Sequence, residues 1–301
     1  MSKKLILLDA YALIYRAHFA FIKNPRINSK GLNTSAIFGF CNSLLEVTNK
    51  FDPSHIGVVF DPPGGSDREG VFADYKANRQ EMPEDIRKAI PYIFDLLKAM
   101  NIKVEMEEGF EADDVIGTLA KQAEKKGFET YMMTPDKDFG QLVSDHIFIY
   151  KPGRSGNPSE ILGPKEVCEK FEVKDPLQVI DILGLWGDAV DNIPGVPGVG
   201  EKTAKKLIST YGSIENLIKN THELKGKLKE NVENFAEQAI LSKQLATIIL
   251  DCPVEFEESE FSRKEVNEKE LIKLFQQLEF NQLGKRILGK PIIQEKQMDL
   301  F

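Results

Sequence analysis

Three short apolar runs in this chain break off at an acid. Leu5-Ile6-Leu7-Leu8 stops at Asp9, Ile56-Gly57-Val58-Val59-Phe60 at Asp61, and Tyr131-Met132-Met133 at Thr134-Pro135-Asp136. Such unbroken runs predict short strands buried on both faces. Between them the apolar spacing turns helical, first at Ile86, Ile90, Ile93, Phe94 and Leu97, then at Val115, Ile116, Leu119, Ala120 and Ala123, with Gly127 placed to stop the second helix. Strands alternating with helices predict an α/β fold, a mostly parallel central sheet with flanking helices. Ligands of such sheets gather at the carboxyl ends of the strands, where Asp9, Asp61 and Asp136 fall.

After the turn-rich stretch Lys151-Pro152-Gly153-Arg154-Ser155-Gly156-Asn157-Pro158 the pattern changes, and from about residue 176 nearly everything has helical character. This predicts an α/β core over 1–175, a helical domain over 176–288, and a tail over 289–301 with too few apolar residues to pack by itself. No repeat of 20 to 50 residues and no low-complexity tract interrupts the chain.

Composition narrows the class. With 42% hydrophobic and 29% charged residues the 301-residue chain is of ordinary globular type. No apolar run approaches the roughly 20 residues of a membrane span, and Met1-Ser2-Lys3-Lys4 enters the first strand without a cleavage site, so a cytoplasmic protein is expected. Cys41, Cys168 and Cys252 are far apart, which predicts isolated thiols and neither a disulfide framework nor a zinc site.

A net charge of −8, from 39 Lys and Arg against 47 Asp and Glu, disfavours a polyanionic partner unless the two signs are segregated. They are. Between Glu201 and Lys229 seven lysines face three glutamates, a local excess of four positive charges. The acids collect elsewhere, at Glu111-Ala112-Asp113-Asp114, Asp136-Lys137-Asp138 and Asp188-Ala189-Val190-Asp191, besides Asp9 and Asp61. Taken singly, each is as well explained by a helix cap or a solvated loop. As a set, carboxylates brought together at element ends either rise in pKa or bind cations. No His or Cys lies nearby in sequence, so hard ions, Mg²⁺ or Mn²⁺, are the natural choice. Two such ions about 4 Å apart can activate water and stabilise the leaving oxygen of a phosphodiester. His18, His55, His146 and His222 show no ligand spacing, and no Gly-x-Ser-x-Gly elbow is present. Phe139 and Trp186 read as core residues.

Two further elements suit nucleic acid. In Tyr75-Lys76-Ala77-Asn78-Arg79 the spacing predicts Lys76 and Arg79 on one helical face beside an aromatic ring, fit for phosphate contact and base stacking, although a solvated helix face gives the same pattern. Ile193-Pro194-Gly195-Val196-Pro197-Gly198-Val199-Gly200 runs into Glu201-Lys202-Thr203-Ala204-Lys205-Lys206, a glycine-spaced hairpin opening a helix, which offers backbone N–H groups to a phosphate; a plain tight turn is the alternative.

With these residues in place the chain resembles the 5′ nuclease (flap endonuclease) superfamily, and within it the N-terminal 5′→3′ exonuclease domains of bacterial DNA polymerase I, over about residues 3 to 288. The marks are Leu8-Asp9-Ala10 with Tyr15-Arg16-Ala17, Phe60-Asp61, the Tyr75–Arg79 pentad, Glu111–Asp114, Thr134–Asp138, and Gly187-Asp188-Ala189-Val190-Asp191-Asn192-Ile193-Pro194-Gly195. The resemblance implies a PIN-like nuclease core, a helical arch over about 67–92, and a helical domain whose glycine hairpin grips duplex backbone with a monovalent cation, K⁺. It implies two or more Mg²⁺ or Mn²⁺ ions on Asp9, Asp61, Glu111, Asp113, Asp114, Asp136, Asp138, Asp188 and Asp191, with Lys76 and Arg79 beside the scissile phosphate. DNA contacts then fall to Arg16, Tyr75, Gly195, Gly198, Gly200, Lys202, Thr203, Lys205 and Lys206. Where the family usually carries an aromatic residue before the arginine of Ser66-Asp67-Arg68-Glu69-Gly70, this chain has Asp67.

The expected activity is 5′→3′ exonuclease and 5′-flap endonuclease action in DNA replication and repair, on DNA 5′ ends, flaps and nicks and on RNA primers, by a cytoplasmic, nucleoid-associated bacterial protein. A silent branch-binding module and a PIN-like ribonuclease are the competing readings; the intact acid set argues against the first, and the hairpin and pentad against the second. The chain is expected to be a stand-alone nuclease or the front of a longer polymerase. Finally, Gln297-Met298-Asp299-Leu300-Phe301 is similar to the Gln-x-x-Leu-Phe peptides that dock on the bacterial sliding clamp, and the start of a linker explains it as well.

Overall fold

A computed structural model of the chain describes residues 3–153 and 157–292. The Gln297–Phe301 peptide lies outside the described residues, as do 293–296 of the tail and Arg154, Ser155 and Gly156 of the turn-rich stretch. The first half of the chain contains β1 (Lys3–Asp9), α1 (Ala10–Ala20), α2 (Ser35–Phe51), β2 (His55–Val59), α3 (Arg68–Val71), α4 (Glu84–Ala99), β3 (Lys103–Glu105), α5 (Ala112–Lys125), β4 (Phe128–Met133) and β5 (Ile147–Lys151). The second half contains β6 (Glu160–Leu162), α6 (Pro164–Phe171), α7 (Val179–Trp186), α8 (Glu201–Tyr211), α9 (Ile214–Lys219), α10 (Gly226–Asn234), α11 (Ala236–Ala246), α12 (Glu258–Phe261), α13 (Glu268–Leu278) and α14 (Asn281–Leu288). Six strands, mostly parallel, with flanking helices make the fold α/β, as the alternation predicts.

The chain divides into two compact units. The first takes the residues up to Phe60, Met82–Glu105, and those from Phe256 on. In it β1 runs parallel to β2, with Leu5 opposite His55 and Asp9 opposite Val59, and β2 runs parallel to β3. Leu5 to Leu8 and Val58 are fully buried, so both faces of these strands are covered, which is why they read as unbroken apolar runs. On α4 the buried stripe is Ile86, Ala89, Ile93, Leu96 and Leu97.

The second unit takes Asp61–Glu81 and Met106–Glu255. Here β4 and β5 are parallel and β6 returns antiparallel to β5. α5 packs on β4 with Val115, Ile116, Leu119, Ala120 and Ala123 fully buried, the face the spacing predicts. Each such large aliphatic side chain contributes about 1.5–3 kcal/mol by leaving water. Gly127, at φ 80, ends the helix region as expected. Gly117 of α5 has no room for a side chain, since a Cβ there would lie 2.8 Å from Leu250 and 3.0 Å from Ile248. That closeness brings the backbone of 247–249 against the start of α5.

The 67–92 segment departs from expectation. It contains the four-residue α3, a run of turns over 73–78, and the beginning of α4. Lys76 and Arg79 are therefore not on a helical face. Lys76 sits at φ 56, a left-handed conformation that no α-helix accepts. The three cysteines are free. Among the described residues no helix is long and apolar enough to cross a membrane.

Candidate active site

α5 begins in acids, and their partners decide what each can do. Asp114 is wholly buried and receives two parallel hydrogen bonds from the Arg68 guanidinium, both 2.7 Å. It also accepts from the backbone N–H of Glu111 at 3.1 Å and of Ile249 at 2.8 Å. Four donors saturate this carboxylate. Arg68, itself buried, also donates to Thr247 O at 2.9 Å and lies 3.2 Å from Glu111 Oε2. Burial would lower the Arg68 pKa, but the hydrogen bonds and charge of Asp114, with Asp113 and Glu111 nearby, raise it further.

Glu111 collects Lys76 Nζ at 2.6 Å, Ser66 Oγ at 2.9 Å and the Tyr75 hydroxyl at 3.1 Å. Burial alone would push its pKa up; the charges of Lys76 and Arg68 overcome this and hold it below the usual carboxylate range. Asp113 behaves oppositely. Burial, then the charges of Asp114 and Glu111, raise its pKa well above the ordinary value. Asp61 accepts from Ala112 N at 3.0 Å and so fixes the entry to α5.

A second acidic group forms at Asp136, Asp138, Asp188 and Asp191. Asp138 is buried, its Oδ1 accepts no hydrogen bond, and burial, followed by the charge of Asp136, pushes its pKa up to about 7. Lys137 Nζ lies 3.4 Å from that oxygen and is bonded to Asp188 Oδ2. Residues 188–193 are closed by paired backbone hydrogen bonds between Asp188 and Ile193, 2.8 and 2.9 Å, which presents Asp191 to Arg79 at 2.5 Å.

This loop is what holds the pentad. Lys76 N donates to Asp191 O at 2.9 Å, Asn78 to Ala189 O at 2.7 Å, and Asn192 to Asp74 O at 2.6 Å. Tyr75 is buried, 4% exposed. Its ring is thus not presented to a base, which corrects the expected stacking role. Asp9, in the first unit, ends β1 and caps α1 by accepting from Ala12 N at 3.2 Å. Arg16 is half-buried on α1.

The hairpin is built on glycine where nothing else fits. A Cβ on Gly195, at φ 59, would lie 2.5 Å from Gly187 N. Its N–H donates to Ser242 Oγ at 3.0 Å and its carbonyl accepts from Gln238 at 2.6 Å, so this residue braces the turn from inside. Gly198 and Gly200 are exposed, and their N–H groups make no hydrogen bond among the described residues. Lys202 and Lys206 on α8 are exposed and Thr203 is half-buried. Lys205 is already engaged, by Glu201 and by Lys170 O, both at 2.8 Å.

Among the described residues, no three His, Cys, Asp or Glu side chains converge tightly enough to cage a metal ion as they stand. The donor set nonetheless fits hard cations. It is all oxygen, like charges crowd Asp113 and Asp138, and the buried Asp138 Oδ1 lacks a hydrogen bond. Sequence reasoning missed Arg68 and Lys137, and placed Trp186 in the core, whereas it is half-buried with Lys137 Nζ 5.5 Å from its ring centre. Arg68 carried one signal, an arginine inside a short acidic segment. Its acceptor Thr247 lies some 180 residues away and could not be read from spacing.

The family model described as 5′-3′ exonuclease, N-terminal resolvase-like domain matches residues 4–172, and that described as 5′-3′ exonuclease, C-terminal SAM fold matches 174–269. The chain is 42% identical over 287 residues to a DNA polymerase I of Bacillus subtilis (strain 168), covering 95% of this chain and 32% of the relative. It therefore spans about a third of the length of that polymerase. It is 36% identical over 299 residues to a 5′-3′ exonuclease of Aquifex aeolicus (strain VF5), 99% of this chain and 100% of that one. Among solved structures, T5 5′-exonuclease with bound divalent metal ions (zinc) matches with a TM-score of 0.70 at 19% identity, over 95% of this chain and 99% of that one. The catalytic core of Rad2 in complex with DNA substrate matches with a TM-score of 0.59 at 18% identity, over 99% and 92%. At these identities the structural likeness speaks for the fold.

Proposed function

Because this chain belongs to the 5′-3′ exonuclease family, we propose that it hydrolyses phosphodiester bonds of DNA at or near 5′ ends, flaps and nicks, with RNA primers as further substrates. Residues 1–175 carry the nuclease core and 176–288 the helical DNA-binding part, which also supplies Asp188 and Asp191 to the acid set. The observation that carries the chemical side is the gathering of oxygen ligands in two groups. One is Asp61, Glu111 and Asp113 at the head of α5. The other is Asp136, Asp138, Asp188 and Asp191, with its buried Oδ1 that accepts no hydrogen bond. On this reading Asp9 is a further oxygen ligand, while Asp114 acts by orienting Glu111 through Arg68.

Mg²⁺ or Mn²⁺ on these acids supplies the positive charge that makes water a nucleophile near neutral pH and stabilises the leaving oxygen. The chain's own residues do the rest. Lys76 and Arg79, each paired with an acid, hold cationic donors beside both groups, where they stabilise charge developing on a scissile phosphate. Gly198 and Gly200, with K⁺ as a further ligand, and Lys202 and Lys206 grip duplex backbone at the hairpin. Such substrates place the enzyme in the bacterial cytoplasm, on the nucleoid. Gln297–Phe301 adds docking to the sliding clamp.

The test is cleavage of an end-labelled 5′-flap duplex with Mg²⁺, with Mn²⁺ and in excess EDTA. Cutting with either metal and none in EDTA is expected; cutting in EDTA overturns the mechanism. Asp113→Asn should slow cleavage by orders of magnitude while flap binding in Ca²⁺ stays near wild type.

A further inference from the structure

Lys137 stands between two aspartates in sequence and, in the fold, turns inward on the acids instead of out to solvent. Its side chain is 29% exposed, is bonded to Asp188 Oδ2 and lies 3.4 Å from Asp138 Oδ1. Its ammonium is also 5.5 Å from the centre of the Trp186 ring, within cation–π reach. Which oxygens it faces matters more than how many. Asp188 Oδ1 already accepts from Val190 N at 2.8 Å, and Asp136 Oδ1 from Asp138 N at 2.9 Å. Asp138 Oδ1 accepts no hydrogen bond at all. Asp138 Oδ1 and Asp188 Oδ2, both without a backbone donor among the described residues, are the two oxygens that the Lys137 ammonium faces.

We propose that Lys137 is an internal counter-ion of the Asp138–Asp188 pair, competing with a divalent cation for these two oxygens and so setting the metal affinity of this half of the site. The proposal rests on the metal reading above and deepens it. A tethered ammonium neutralises the pair at high effective concentration, which keeps four crowded acids tolerable when no metal is bound. A divalent ion must either displace it or bind beside a like charge, and each route weakens binding. Without the ammonium, this half should therefore fill at lower metal concentration. Metal content would thereby be adjustable by one side chain that is not itself a ligand.

The experiment titrates Mn²⁺ into the metal-free full chain without DNA, at low ionic strength, following free Mn²⁺ by electron paramagnetic resonance. Wild type is compared with Lys137→Met, Lys137→Gln and Lys137→Arg. Removing the charge should tighten the binding of one ion about tenfold or more, and Lys137→Arg should stay close to wild type. A second readout is thermal stability. In EDTA the Met and Gln variants should melt below wild type, and their gain on adding saturating Mn²⁺ should exceed that of wild type. Isotherms that coincide for wild type and both neutral variants, or weaker binding in those variants, overturn the counter-ion role while leaving the metal reading intact. A wild type that binds no Mn²⁺ overturns both.

Discussion

Arg68→Met is the substitution whose consequence can be worked furthest. Arg68 and Asp114 have side chains 8% and 0% exposed and share two 2.7 Å hydrogen bonds. Removing the guanidinium strands a carboxylate that no water reaches, with only two backbone N–H groups to hold it. Breaking a buried pair in this way costs about 3–5 kcal/mol, because one charge is left uncompensated. For a chain of this size that lowers the Tm by on the order of 10 °C. The pair's coupling is isolated by also making Asp114→Asn, which keeps an acceptor for Ile249 N without the charge, and the double variant. In a double-mutant cycle the second substitution should hurt far less after the first than alone. The assay is urea unfolding in EDTA at pH 7.5, so that metal binding does not mask the effect. Lys88→Met serves as the control, since its partner Glu84 is exposed and the midpoint should barely move. A loss below about 1 kcal/mol for Arg68→Met would show that Asp114 does not depend on this arginine.

Three further expectations follow from the same geometry. Asp138, ordinarily near 3.8 and here about 7, holds its proton more tightly folded than unfolded; the stability this gives is complete below about pH 4 and lost as pH rises through 7, up to about 4 kcal/mol. Asp138→Asn should therefore stabilise the metal-free protein increasingly from pH 5 to 8, and stability curves that run parallel to wild type would sink this. Gly200, at φ −91 with open space where a Cβ would stand, accepts Asp without strain, so Gly200→Asp should fold normally yet bind duplex more weakly, most of all at low salt; Gly195→Ala should instead impair folding, and melting curves separate the two. Lys76→Ala and Lys76→Gly both remove the ammonium and should slow single-turnover cleavage alike, but the Gly variant should be about 1 kcal/mol more stable because the backbone is left-handed there.

How much of this was legible in the sequence depended on whether the deciding contact was local. The strands ending at Asp9, Asp61 and Asp136 and the buried face of α5 follow from spacing alone, since a strand or helix must bury its apolar side whatever else it touches. The glycine hairpin was legible for the same reason, because Gly195 meets the backbone of residue 187, a near neighbour in the chain. Lys76 and Arg79 stood out as cations and each meets an acid, Glu111 and Asp191, but the helical spacing read into them failed. Their conformation is imposed from 188–192, more than a hundred residues on, by hydrogen bonds to backbone carbonyls that leave no compositional trace. The same limit explains Asp114. Nothing in Glu111-Ala112-Asp113-Asp114 distinguishes an acid saturated by Arg68 and Ile249 from one left with room for a cation, because the difference is made by donors that arrive from the far end of the unit. In an acidic cluster of this kind, sequence identifies the acids, and only the donors around each decide which of them can turn an oxygen toward a metal.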